Sequence, residues 1–306
     1  KNTYDIPASL NAGTHTVRCA ASCDGYTVLS NETTVTVKKA DIRAASITVP
    51  TALTGLTYTG TAQALTAPGS VAAGGTMQYS LTQGGAYADR IPTAVSAGTY
   101  TVWYKAVGDE NHNDSPASVE AAISPAPLTF TVSVGSKRFN GEADAVVDVK
   151  FNGLVNNERL TSGMDYTVEA SYDNAKVGDG KPVTGTVTLE SSDKARNYVL
   201  ADGAFSTTGS ILKGFAPQLA PISVMAKAGT SGTVSLLNST GMPGNAGKLT
   251  YRVTGAGFTV DENGTVSYAV SGSAGETRTA VVTVSSENYE DAECRITVTL
   301  TDKNIP

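Results

Sequence analysis

The feature that most constrains this chain is a thirteen-residue pattern that occurs twice. Arg90-Ile91-Pro92-Thr93-Ala94-Val95-Ser96-Ala97-Gly98-Thr99-Tyr100-Thr101-Val102 aligns without a gap onto Asp5-Ile6-Pro7-Ala8-Ser9-Leu10-Asn11-Ala12-Gly13-Thr14-His15-Thr16-Val17. A second copy of so specific a pattern, one domain-length away, marks a repeat protein. Equivalent junctions follow the two copies, Lys38-Lys39-Ala40 and Ser124-Pro125-Ala126, and they set the repeat at about 85 residues. That length suits a seven-stranded sandwich.

The rest of the sequence agrees with strands. Thr, Val, Ser, Ala and Gly dominate, with 13 Tyr and 31 Gly. Thr, Val and Tyr favour a pleated, half-buried surface, and Gly fits the turns between strands. Period-two alternation at Thr33–Val37, Met77–Leu81 and Leu128–Val134 predicts strands with one wet face. Further strands are expected at Ile47–Val49, Tyr100–Val107, Ala117–Ile123, Tyr166–Tyr172, Val183–Leu189, Asn197–Leu200 and a run closing at Ile211. In the last segment they are expected at Thr233–Leu237, Leu249–Val253, Phe258–Val260, Thr265–Val270, Thr279–Ser285 and Arg295–Thr301. Asp261-Glu262-Asn263-Gly264 reads as a hairpin turn, with Gly264 free to take positive φ. No segment keeps a helical period over a dozen residues; Asn156–Leu160 is expected to make one helical turn. The fold class is therefore all-β, with tandem immunoglobulin-like β-sandwich domains in an elongated array.

The expected domains are 1–40, the C-terminal part of a repeat; 41–125, a complete repeat; 126–213; and 214–306, entered through Pro217 and Pro221. Residues 1–40 match only the second half of the repeat. A half-sandwich exposes its inner face and an open edge, so this unit is expected to be incomplete, its first strands lost or supplied by another chain. The start at Lys1-Asn2-Thr3 reads as that of an excised fragment.

Charge and cysteine content exclude several classes. The net charge is −6 with a pI near 5.0, spread along the chain; a nucleic-acid partner would need a basic stripe. No apolar run approaches the ~20 residues needed to span a bilayer, so no membrane insertion is expected. Cys19, Cys23 and Cys294 are too few for a disulfide scaffold. Cys19 and Cys23 could close a small loop; alternatively Cys19 is a small core residue and Cys23 a loop residue. His-Glu-x-x-His, Gly-x-Ser-x-Gly and Gly-x-Gly-x-x-Gly are all missing, and Gly247-Lys248 lacks the Ser or Thr of a phosphate loop. The chain is read as a non-enzyme without a cofactor.

Two places remain as binding candidates. Asp109, Glu110 and Asp114, in Asp109-Glu110-Asn111-His112-Asn113-Asp114, offer the oxygens a structural or adventitious Ca²⁺ takes; the same residues suit a solvated loop between strands. Trp103 aligns with Arg18, between the inward pairs Val102/Val17 and Tyr104/Cys19. It is therefore expected on the outer face, either exposed for binding or covering the sheet with Tyr87. His15, aligned with Tyr100, is expected at a strand end. Lys137 and Lys227 lie near first strands, where a Lys–Asn isopeptide bond would need an acidic residue beside it.

Residues 41–125 resemble the immunoglobulin-like repeats of large surface proteins from Gram-positive, mostly gut-dwelling bacteria. The resemblance rests on Tyr58-Thr59-Gly60, Ile91-Pro92, Ala97–Val102 and Gly108–Asn113. Residues 126–213 resemble the YDG repeat of the same proteins, with Phe139-Asn140-Gly141 for aromatic-Asp-Gly and Asn197-Tyr198-Val199-Leu200 for Asn-Tyr-aliphatic-Leu. Residues 214–306 are similar to a related module through Ser286-Glu287-Asn288-Tyr289-Glu290-Asp291. The resemblance implies a secreted or wall-attached setting and no shared catalytic residues. It implies a stalk segment whose partners are other repeats of the parent chain. The alternatives are an adhesin segment that takes a host glycan or protein, or accessory modules of a larger surface enzyme.

Overall fold

The computed structural model describes residues 9–236 and 241–302, with Asp5 and Pro7. Lys1–Thr3, Ile6, Ala8 and Leu237, all invoked above, lie outside the described residues. The chain divides into two compact units. One comprises Lys1–Thr129, Asn152–Tyr166 and Leu189–Ala201, the other Phe130–Phe151, Thr167–Thr188 and Asp202–Pro306. Residues 126–213 thus contribute to both. Every named strand of both units belongs to a β-sheet, and the only helical pieces among the described residues are three-residue 3-10 turns.

In the first unit, Gly13–Val17 pairs antiparallel with Thr33–Val37, and Ala20–Cys23 with Tyr26–Leu29. The second pair turns at Asp24-Gly25, both at positive φ (47° and 84°). That is the tight turn whose twist matches a hairpin. Residues 9–40 hold these four strands and no buried residue. Tyr26, Val28 and Leu29 are 81%, 70% and 51% exposed.

The second copy differs because it has more sheet around it. Gly98–Gly108 lies between Ser115–Ile123 and Gly75–Ser80, antiparallel to both. Val102, Tyr104 and Ala106 alternate inward and are buried, with Leu65, Met77, Tyr79, Ala121 and Ile123. Short pairs, Ile47–Thr48 with Ser70–Val71 and Gln63–Ala64 with Thr93–Ala94, complete this stretch. Val17 and Cys19, aligned with buried Val102 and Tyr104, are half-buried and exposed respectively. The expectation that they are core positions is therefore corrected: among the described residues no strand pairs with Gly13–Val17 on the side that Gly75–Ser80 occupies in the second copy.

The unit also takes in the start of strand Ala126–Val134, whose Ala126–Leu128 pairs in parallel with Tyr198–Leu200. The expected helical turn at Asn156–Leu160 is only a 3-10 turn at Val155–Asn157. Asn156 and Asn157 sit at positive φ (51° and 57°), and Glu158 leaves it at φ −56°, ψ 157°.

The second unit contains, but for the end residues Tyr166 and Leu189, a four-stranded sheet in the order Lys137–Arg138, Ala204–Leu212, Gly178–Leu189, Tyr166–Tyr172, over a core of Phe139, Tyr172, Val183 and Ile211. Residues 222–301 form a four-plus-three sandwich. One sheet runs Ile222–Lys227, Ala292–Thr301, Thr277–Ser286, Leu249–Thr254; the other runs Ser231–Ser235, Thr265–Ala269, Phe258–Val260. Val266, Val282, Ile296, Val298 and Leu300 fill the space between, each fully buried branched side chain contributing about 1.5–3 kcal/mol. Ile222–Lys227, not anticipated beside Pro217 and Pro221, pairs in parallel with Ala292–Thr301.

Candidate functional site

The acidic loop after Gly108 is fully engaged with its neighbours. Asp109 Oδ1 accepts from Asn111 N–H (2.8 Å) and lies 2.7 Å from His112 Nδ1. The His112 contact, then the Asn111 amide, holds its carboxyl below the usual range. Asp114 is likewise lowered, first by Lys105 (3.0 Å) and then by Gly108 N–H (3.0 Å). Glu110 Oε1 accepts from Asn11 Nδ2 at 2.8 Å. The three carboxylates thus face different donors, and among the described residues no three His, Cys, Asp or Glu are grouped to hold a metal ion.

Trp103 is half-buried on the face opposite Val102 and Tyr104, beside Ser80 and Ser118. Tyr87 covers the same strand through its neighbour: Lys105 Nζ lies 5.0 Å from the Tyr87 ring centroid. His15 is inside its strand, opposite Val35, with Nε2 2.7 Å from Asn11 O. Cys19 and Cys23 are free and exposed. They occupy different rungs of one hairpin, Cys19 opposite Ser30 and Cys23 opposite Tyr26. Four extended residues separate them by roughly 13 Å, beyond disulfide reach. Cys23 is therefore a strand residue, not a loop residue. Cys294 is buried in the last sandwich. Lys137 Nζ bonds Glu142 O, Asp144 O and the Asp144 carboxylate, with no asparagine among those partners. Lys, Asn and Asp do meet at Lys181, Asn174 and Asp173 (2.8 Å each), where Lys181 of strand Gly178–Leu189 reaches the exposed turn that holds the other two.

The recurrent geometry of the molecule lies where the expected repeats join, each joint falling inside one compact unit. A small linker residue bridges in parallel to the ring-bearing member of an Asn-ring dipeptide: Ala40 to His112, Ala126 to Tyr198, Gly214 to Tyr289. The linker N–H reaches the asparagine carbonyl from Ala40 to Asn111 (2.9 Å) and from Gly214 to Asn288 (2.8 Å). The side-chain oxygen of Asn111 accepts Ala12 N–H at 2.7 Å, and that of Asn197 accepts Ala97 N–H at 2.8 Å. Ala12 and Ala97 are the same position in the two copies of the opening pattern. At the third joint the linker has to be glycine because the ring sits on it: a Cβ on Gly214 would lie 2.7 Å from the Tyr289 ring.

Two joints add an aromatic pair. Tyr58 and Tyr198 meet edge-to-face at 5.4 Å and 81°, and Phe139 and Tyr289 at 5.5 Å and 85°. At the first, both hydroxyls donate to one carboxylate: Tyr58 to Glu158 Oε1 and Tyr198 to Glu158 Oε2, each at 2.7 Å. Tyr198 also accepts Val155 N–H at 3.0 Å. Burial, then the Glu158 hydrogen bond, pushes the Tyr58 phenol up to about 12; the same causes raise Tyr198 further. At the second joint Tyr289 donates to Asn245 Oδ1 at 3.0 Å, and Arg138 spans Glu290 (2.7 Å), Lys213 O (2.9 Å) and the Phe215 ring (4.1 Å). The sequence carried a partial signal: Tyr58-Thr59-Gly60 and Phe139-Asn140-Gly141 share the aromatic-x-Gly form, and Asn197-Tyr198 and Asn288-Tyr289 share the Asn-Tyr dipeptide. Separations of 140 and 150 residues (198 − 58 and 289 − 139) hid which ring meets which.

The sheets define a tandem array of immunoglobulin-like β-sandwich modules. Residues 124–206 match the YDG domain model, in the segment whose motifs resemble that repeat. Among curated proteins, no sequence matches the chain. Similar solved structures include an I-band fragment from titin, 11% identical over 83% of this chain and 97% of that one, at a TM-score of 0.31. Sidekick-1 immunoglobulin domains 1–4 are 9% identical over 93% and 82%, at 0.26. Invasin, a bacterial integrin-binding protein, is 15% identical over 93% and 65%, at 0.27. No helix among the described residues is long and apolar enough to cross a membrane.

Proposed function

We propose that the chain is a non-catalytic structural segment of a bacterial cell-surface or secreted protein. Its tandem repeats carry load and position between neighbouring modules. The observation that carries this reading is the recurrence of the joint: parallel backbone pairing between a small linker residue and an Asn-ring dipeptide, three times in succession. A joint built on backbone hydrogen bonds transmits force without depending on any one surface side chain, and stacked repeats gain stability from nearest-neighbour contacts. The engaged state of Asp109, Glu110 and Asp114 supports a loop that serves the Ala40–Asn111 joint without a cation. The resemblance to repeats of Gram-positive gut surface proteins supports the extracellular setting.

Single-molecule pulling tests this. Separate unfolding events, each releasing about 85 residues or roughly 30 nm at ~3.6 Å per residue, are the expected record. One rupture for the whole chain would reject a modular load-bearing segment. A glycan array that binds the chain, and fails to bind Trp103→Ala, would replace the spacer reading with adhesion.

A further inference from the structure

We infer that the aromatic-x-Gly triplet of one repeat and the Asn-Tyr dipeptide of the next form a docking pair, so that each such repeat carries a plug for its C-terminal neighbour. Four independent features coincide at both joints. First, the triplet is tied to the end of its own repeat: Tyr58 N–H bonds Ser124 O and Phe139 N–H bonds Leu212 O, both at 2.9 Å. Ser124 and Leu212 each stand two residues before the linker residue that bridges to the tyrosine, Ala126 and Gly214. Second, the ring so placed meets that tyrosine edge-to-face at nearly the same distance and angle. Third, the triplet's glycine touches the following repeat. A Cβ on Gly60 would lie 2.4 Å from Asn156 Nδ2, and one on Gly141 3.2 Å from Asn245 Nδ2. Both glycines also hold positive φ (70° and 88°), so the backbone favours glycine at both, and at Gly60 a side chain would in addition have to displace Asn156. Fourth, the tyrosine hydroxyl is satisfied within its own repeat, by Glu158 at one joint and Asn245 at the other, which fixes the ring before the plug arrives.

The triplet alone is not enough. Phe151-Asn152-Gly153 has the same form, yet Phe151 lies 6.4 Å from Phe130 within its own repeat. What distinguishes the docking triplets is the ring they meet, the tyrosine of the Asn-Tyr dipeptide that follows in the next repeat. The kind of partner follows: a neighbouring repeat that presents an aromatic residue after asparagine, beside the linker. His112, after Asn111 and bridged to Ala40, occupies that receiving position in residues 41–125.

The inference rests on the tandem-repeat reading, and hydrogen exchange on the full chain separates the two, because pulling counts folded units while exchange reads single joints. Tyr58→Leu should speed amide exchange at Ser124, Ala126 and Tyr198–Leu200 by about tenfold or more, leaving Gly214 and Tyr289–Glu290 at the wild-type rate. Phe139→Leu should do the reverse. Tyr198→Leu and Tyr289→Leu approach each joint from the receiving side and should reproduce the pattern of their plugs. Exchange that rises throughout Gly98–Gly108 in Tyr58→Leu, or throughout Gly178–Leu189 in Phe139→Leu, would assign the rings to their own cores and overturn the docking pair. So would wild-type rates at both joints.

Discussion

Glu158 is the residue on which the joint between residues 41–125 and 126–213 turns. Its two carboxylate oxygens each take a buried tyrosine hydroxyl, and hydrogen bonds to a charged acceptor contribute about 1.5–3 kcal/mol each. Tyr58→Phe should keep the edge-to-face contact and lose one such bond, lowering stability by about 1–3 kcal/mol in urea unfolding. Tyr198→Phe should cost more, since that hydroxyl also satisfies Val155 N–H. The joint should also fail in base. The folded Tyr58 pKa of about 12 lies above the ordinary value of 10.0, so its stabilisation is complete below pH 10 and is lost as pH rises from about 10 through 12. Absorbance of tyrosinate should therefore show Tyr58 and Tyr198 among the late-ionising rings, beside Tyr172 and Tyr251, which burial also raises, and Glu158→Gln should bring forward Tyr58 and Tyr198 alone. None of this was legible at the residue scale, because Glu158 stands in a polar stretch that reads as a plain turn. Its importance comes from rings 100 residues before it (158 − 58) and 40 after it (198 − 158).

Strands were far more legible than their ends. Alternating runs located Gly98–Gly108, Ser115–Ile123 and Thr265–Ala269 to within two residues, because one face of each is buried and period two is then enforced. Val147–Asn152 and Ile222–Lys227 were missed; the second begins directly after Pro221, and prolines there read as linker. The turn at Asp261–Gly264 formed as expected, with Gly264 at φ 74° and Asp261 Oδ1 accepting from Asn263 and Thr265 N–H. Glycines separate the backbone role from the contact role. Gly84 has φ 68° and open space where a methyl group would stand, whereas Gly60 has φ 70° with Val155 and Asn156 against it. Gly84→Ala should cost about 1–2 kcal/mol, the left-handed backbone penalty. Gly60→Ala should exceed it by about 1 kcal/mol or more in the same denaturant series, the added cost of overpacking. Equal costs would remove the glycine from the joint.

At the scale of the whole molecule, the repeat spacing announced tandem modules, yet it could not say how unequal they are. Among the described residues, 222–301 hold a cluster of twelve buried core residues, from Ala226 to Leu300, while residues 9–40 have none. Secondary structure without burial is held by its neighbours, and local opening free energies follow burial. The hairpins of residues 9–40 are fastened to the second repeat by the Ala12–Asn111, Asn11–Glu110 and Ala40–Asn111 bonds and by Lys39 reaching Asp109 O at 2.9 Å. Native-state hydrogen exchange should then find the lowest protection in Gly13–Val17 and Thr33–Val37 and the highest in Thr277–Ser286 and Ala292–Thr301. Asn111→Ala removes the side-chain acceptor for Ala12 and the partner of Asn11 while leaving the backbone of the joint. It should erase what protection the first strands have and leave the last sandwich unchanged. If Gly13–Val17 exchanges equally slowly with and without the Asn111 side chain, those strands are stable by themselves, and the fastening role assigned to the Asp109–Asp114 loop is wrong.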